Sequence, residues 1–194
     1  MYRLTESGKR RALRGHDVEE HWKREWDGWW RQLIFDLPVE EQQARQKLLR
    51  WLHRRGFGYL QDSVWISPDP VDDLAKALKP FRDDVESFAV LECRCAAGFS
   101  NSALVRGAWP FDTINQAYQA YRHFAKDAVR RMKSTRLHPK ELFTLLREER
   151  ERWANAYHHD PLLPRSLWPD TYEGPQAFGL RKELLALLPK QVKS

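Results

Sequence analysis

The sequence predicts an α+β fold, a βαββαβ unit over residues 30–105 followed by an all-α region over 106–194. Three observations predict it. Apolar residues alternate in short runs at 30–36, 57–60, 64–67 and 87–95, and runs of helical spacing lie between the first pair and between the last pair. Beyond residue 111 the chain holds long stretches without Gly or Pro whose apolar residues recur every three or four positions. Nine Trp, nine Phe and six Tyr among 194 residues supply large apolar bodies for a core, although the mean hydropathy is −0.73.

The first 16 residues form a small basic piece. Tyr2-Arg3-Leu4 alternates like the end of a strand, Thr5 is placed to cap a short helix over 6–14, and Gly15 ends it. Arg3, Lys9, Arg10, Arg11 and Arg14 stand there against one acid, Glu6, and the piece has no core of its own. Residues 17–29 read as a linker helix. Trp22 and Trp26 are spaced i, i+4 to dock one helix face on a neighbouring domain, and Gly28 breaks the helix.

Residues 30–36, Trp-Arg-Gln-Leu-Ile-Phe-Asp, form the first strand, stopped by Pro38. Residues 40–55 form a helix with Ala44, Leu48, Leu49, Trp51 and Leu52 at helical spacing, ended by Gly56. Strands 57–60 and 64–67 are joined by Gln61-Asp62-Ser63, a hairpin. Pro68-Asp69-Pro70 makes a turn into a helix over 71–78, and 87–95 alternates as the last strand. That order is the split βαβ, or ferredoxin-like, arrangement. A loop over 98–102 leads to a helix over 112–132, a second over 138–157, a proline-rich segment over 160–178 expected to run extended over these helices, and a last helix over 178–188.

Charge and composition narrow the function. Lys plus Arg number 33 against 27 Asp plus Glu, a net charge of +6 that fits a nucleic-acid partner without demanding one. No window reaches the roughly 18 consecutive apolar residues of a membrane span, and two Cys give no disulfide framework, so the cytoplasm is expected. Neither GxGxxG nor GxxxxGK[ST] occurs. Cys93 and Cys95 form a CxC read as two small core thiols, since a zinc site needs four ligands. His158-His159-Asp160 lacks a third partner for a metal, and Ser63, Ser67 and Ser100 lack a nucleophile elbow. No metal, cofactor or enzymatic activity is therefore expected. Arg122, Lys126, Arg130 and Lys133 form a basic stripe, plainly a solvated helix face and more sharply a set of phosphate contacts. Asp36, at the end of the first strand, caps the following turn in the plain reading. In the sharper one it meets its copy across a dimer to hold Mg²⁺ for phosphodiester hydrolysis.

Four blocks carry a family resemblance. Residues 26–38, from Trp26-Asp27-Gly28-Trp29-Trp30 to Phe35-Asp36-Leu37-Pro38, resemble the opening of the central domain of the PaaX family, repressors of phenylacetate catabolism. Gly56-Phe57-Gly58-Tyr59-Leu60-Gln61-Asp62-Ser63-Val64-Trp65-Ile66-Ser67-Pro68 is similar to that family's GFG-xLQ-xSVWxSP signature. Trp109-Pro110-Phe111-Asp112 with Tyr118, Tyr121 and Phe124 resembles its W-x-x-D…Y-x-x-F segment, and Asp160-Pro161-Leu162-Leu163-Pro164 with Leu167-Trp168-Pro169 its DPxLP segment, with one spacing altered.

The resemblance implies a homodimeric transcriptional repressor of three parts: a winged-helix DNA reader, a ferredoxin-like dimerisation domain and a helical C-terminal domain. It implies release from DNA by an aryl-CoA thioester such as phenylacetyl-CoA. Residues 1–16 then resemble a remnant of the winged helix, the last wing strand and its helix. The recognition helix itself is absent from this sequence, so Arg3, Lys9, Arg10, Arg11 and Arg14 are expected to contribute phosphate contacts rather than base readout. Trp65, Trp109 and Tyr118 are candidates for the aryl group, and Arg122, Lys126 and Arg130 for the anionic CoA portion. Two alternatives remain: a metal-dependent nuclease of the CRISPR-associated ferredoxin-like type using Asp36, and a shortened regulator acting through mixed dimers.

Overall fold

The computed structural model of the chain describes residues 16–36, 42–70 and 87–192. The basic piece over 1–15 and the predicted helix over 71–78 lie outside them. Contacts divide the chain into two compact units. The first holds the described residues up to Trp109 together with Pro161–Trp168, and the second holds Pro110–Asp160 with the described part of Pro169–Ser194. Among the described residues no helix is long and apolar enough to cross a membrane.

The first unit is mixed α and β. It comprises α1 (His16–Lys23), β1 (Trp30–Asp36), α2 (Gln42–Arg54), β2 (Gly58–Gln61), β3 (Val64–Ser67), β4 (Ser87–Cys93), α3 (Asn101–Ala108) and a 3₁₀ turn, Arg165–Leu167. The strands form one sheet in the order β2-β3-β1-β4, with every neighbouring pair antiparallel. β1 and β2 therefore run the same way with β3 between them, as a crossover through α2 requires. The register sets Leu33 beside Trp65 and Phe35 beside Phe88 on one face. There Leu33, Phe35 and Trp65 close a core with Leu48 and Leu52 of α2 and with Phe57. Period two on β1 and period 3.6 on α2 thus meet at one apolar seam.

On the opposite face α3 lies so close to β2 that a Cβ on Gly58 would stand 2.6 Å from the Trp109 ring and 2.7 Å from the Ala108 methyl. The Trp109 indole also donates to the Gly56 carbonyl at 3.1 Å. Only the missing side chain permits this packing.

Three sequence expectations are corrected in this unit. The linker helix predicted over 17–29 stops at Lys23. Trp22 and Trp26 do not share a helix face: Trp22 packs edge-on against Trp168 and Trp26 tilts against Trp30. The Arg24 side chain crosses to Asp69 at 2.6 Å and to the carbonyls of His21 and Leu162, which pins the chain out of helical course. The stretch after 98 is not only loop, because Ser100 accepts from the Ala103 amide and starts α3. The last strand ends at Cys93, and the Cys95 thiol is turned to the Asn101 side chain instead.

The second unit is three helices, α4 (Phe111–Ser134), α5 (Pro139–Tyr157) and α6 (Gly174–Val192). α4 buries Ile114, Tyr118, Tyr121, Ala125, Ala128, Val129 and Met132, the stripe that the sequence spacing requires. α5 starts on a capping box in which the His138 amide donates to Glu141 and the His138 ring accepts from the first turn. The predicted last helix over 178–188 starts earlier and runs longer, from Gly174 through Pro189 to Val192. The proline-rich segment was expected along these helices, but its part Pro161–Trp168 belongs to the first unit. The Arg24 bond to Leu162 and the Trp22 contact to Trp168 hold it there.

Candidate functional site

The residues with chemistry to offer lie mainly in the second unit, in two layers. The inner layer is a set of buried polar pairs among aromatic rings. Tyr118 and Tyr172 both donate their hydroxyls to the Asp160 carboxylate. Tyr121 donates to Glu149 at 3.0 Å, and the same oxygen accepts from the Arg181 guanidinium at 2.8 Å. Arg181 also lies 4.8 Å above the Trp153 ring. Burial, reinforced by the facing carboxylates, pushes the Tyr118 and Tyr121 phenols well above the usual range, so both stay neutral donors at ordinary pH. These groups hydrogen-bond one another.

The outer layer is a groove of about 480 Å³ between α4 and α6. Lys126, Arg130, Lys133 and Ser134 line it from α4, with Val129 on its floor, and Leu180 and Glu183 face them from α6. Lys126, Arg130 and Lys133 share one helix face because they are spaced i, i+4, i+7. Glu183 accepts from Lys133 at 2.7 Å and Asp127 pairs with Arg130, while Lys126 makes no ion pair among the described residues. Arg122, one turn earlier, is held by Glu173. An apolar floor under a row of cations suits a ligand with an anionic and an apolar part.

The other candidates separate. Trp65 packs with His53 and Tyr59, Trp109 with Trp30, and Tyr118 with Trp153 and Tyr172, each buried within its own unit. None of the three shows an open ring face. Arg3, Lys9, Arg10, Arg11 and Arg14 lie outside the described residues. Asp36 is exposed at the end of β1, in register with Ser87. Among the described residues no three His, Cys, Asp or Glu side chains gather as a metal site. Cys93 and Cys95 are free thiols, half-buried rather than core, and burial raises the Cys93 thiol above its ordinary range.

Sequence reasoning missed Glu149, Arg181, Leu180 and Glu183. For Glu149 the signal was present. It continues the apolar spacing of Leu142 and Leu145 towards Trp153, and a charge at a core position calls for a buried partner.

Comparison with known proteins places both units. The profile described as PaaX protein central Cas2-like domain matches residues 23–105, and that described as PaaX-like protein C-terminal domain matches 109–192. No curated protein matches the chain. Among solved structures, Uncharacterized protein Rv0674 from Mycobacterium tuberculosis is similar with a TM-score of 0.61 at 22% identity, over 98% of this chain and 71% of that chain. At that identity the likeness is one of fold.

Proposed function

The chain belongs to the PaaX family, and from that premise we propose that it is a cytoplasmic, homodimeric transcriptional repressor of aromatic-acid catabolism whose helical unit senses an aryl-CoA thioester. Domains of that family point to a regulatory protein rather than an enzyme. In this reading residues 30–105 form a ferredoxin-like dimerisation domain, for which the β2-β3-β1-β4 order of the described strands is the support. The groove of Lys126, Arg130 and Lys133 with Val129 and Leu180 carries the sensing proposal; Arg122, one turn earlier on α4, does not line it and is held by Glu173. Cations bind the phosphates of the CoA portion, and the apolar floor takes methylene or aryl surface. Trp65, Trp109 and Tyr118 then serve as packing, each within its own unit, since their rings are covered. Arg3, Lys9, Arg10, Arg11 and Arg14 contribute phosphate contacts to operator DNA.

Effector binding shifts the population towards a dimer geometry in which the paired readers no longer match operator half-sites. Thermal unfolding against phenylacetyl-CoA, free CoA and phenylacetate tests this. A true effector stabilises by RT ln(1 + [L]/Kd), about 2.7 kcal/mol at a hundredfold excess over Kd. The shift should fall sharply in Lys126→Glu and Arg130→Glu, both at exposed positions. No shift with any thioester overturns the sensor reading.

A further inference from the structure

The two edges of the sheet are built differently. β2 at one edge is four residues long and its register against β3 shifts between Tyr59 and Gln61, the irregularity by which natural sheets blunt an edge. β4 at the other edge is seven residues, Ser-Phe-Ala-Val-Leu-Glu-Cys, paired with β1 in unbroken register and with no described strand beyond it. It has no proline and no lysine, and its one charge, Glu92, is already drawn back onto Arg31 of β1 at 3.1 Å. Val90 is 43% exposed and Leu91 49%, on opposite faces of the same edge. A seven-residue edge paired in unbroken register, with its one charge already paired and no strand beyond it among the described residues, is a template for another strand.

We propose that β4 is the dimer seam, pairing antiparallel with β4 of a second copy to make one continuous eight-stranded sheet. The strand is its own complement. A two-fold axis perpendicular to the sheet pairs only residues of the same face, and full overlap of residues 87–93 puts Val90 opposite Val90. Leu91 then meets Ala89 and Glu92 meets Phe88 of the second copy, so no like charges oppose each other. The pairing deepens the homodimer reading above and rests on it.

Sedimentation of the intact chain at micromolar concentration, with Val90→Lys, Leu91→Lys and a control, Phe143→Lys at an exposed apolar site on α5, tests the seam. The expected result is a dimer for the parent and the control and a monomer with unchanged circular dichroism for the two edge variants. Val90→Cys in a Cys93→Ser, Cys95→Ser background adds a readout that does not depend on destabilising anything. Directly opposed strand positions lie within disulfide reach, so oxidation should give a covalent dimer, whereas Phe143→Cys in that background should not. A monomeric parent overturns both the homodimer reading and the seam. A dimer that survives both lysine variants and fails to crosslink through position 90 overturns the seam alone.

Discussion

Glu149 occupies a position on α5 where the spacing of Leu142, Leu145 and Trp153 calls for an apolar side chain, and it is 3% exposed. Its charge is tolerable there because Arg181 and the Tyr121 hydroxyl both reach its Oε1. Removing one partner leaves the other charged and unpaired, which costs more than removing both. Glu149→Leu should therefore lower stability by about 3–5 kcal/mol in urea unfolding, and adding Arg181→Met should recover much of the loss. The tyrosines give a pH prediction of definite sign. Tyr118 and Tyr121 titrate above an unfolded phenol, which ionises near pH 10. Above that pH the unfolded chain sheds protons that the folded chain keeps, so the contribution of these groups is intact below pH ~10 and is lost as pH rises further. Phenolate absorbance should appear together with alkaline unfolding, and Tyr121→Phe should move the transition to higher pH.

At the scale of elements, periodicity made most of the fold legible: β1, β3, α4 and α5 lie within a residue or two of where spacing placed them. What it could not supply were elements set by tertiary contact. Trp22 and Trp26 satisfy a helical spacing, yet their rings are claimed by Trp168 and Trp30, and nothing local reports that. α3 is eight residues with Gly107 inside, too short and too weak in propensity to stand out without its Ser100 cap. The candidate groove was half legible. The cationic face of α4 follows from i, i+4 spacing, but Leu180 and Glu183 come from a helix about fifty residues on, and no one-dimensional pattern joins them. The join between β2 and α3 is the element contact most open to test. Gly58→Ala drives a methyl into Trp109 and Ala108, and since one obstacle is a bulky ring, α3 must move. A loss of about 1–3 kcal/mol is expected, with a change in near-ultraviolet dichroism from displaced indoles. An unchanged spectrum would mean that α3 does not lie where it is placed here.

For the whole molecule the central fact is that the two units are not two consecutive stretches of chain. The chain leaves the sheet unit after Trp109, builds α4 and α5, returns for Pro161–Trp168, and leaves again to form α6. The returning strip is what completes α1. Trp168 stacks edge-on against Trp22 with centroids 5.5 Å apart, and its indole is fixed by donation to the Leu163 carbonyl at 2.8 Å. Leu162 takes the Arg24 guanidinium, which also clamps Asp69 after β3. A boundary drawn once along the sequence would therefore strip the sheet unit of part of its own packing. The consequence is measurable in the intact chain. Trp168→Ala removes an aromatic contact and the surface that it buries, a loss of about 1–3 kcal/mol. Because stability is distributed by cooperative unit, that loss should show as faster amide exchange in α1 and in β1–β3, with the protection of α4 and α5 unchanged. Faster exchange in α4 and α5 with the sheet unaffected would assign the strip to the helical unit instead, as its position in the sequence, between α5 and α6, at first suggests.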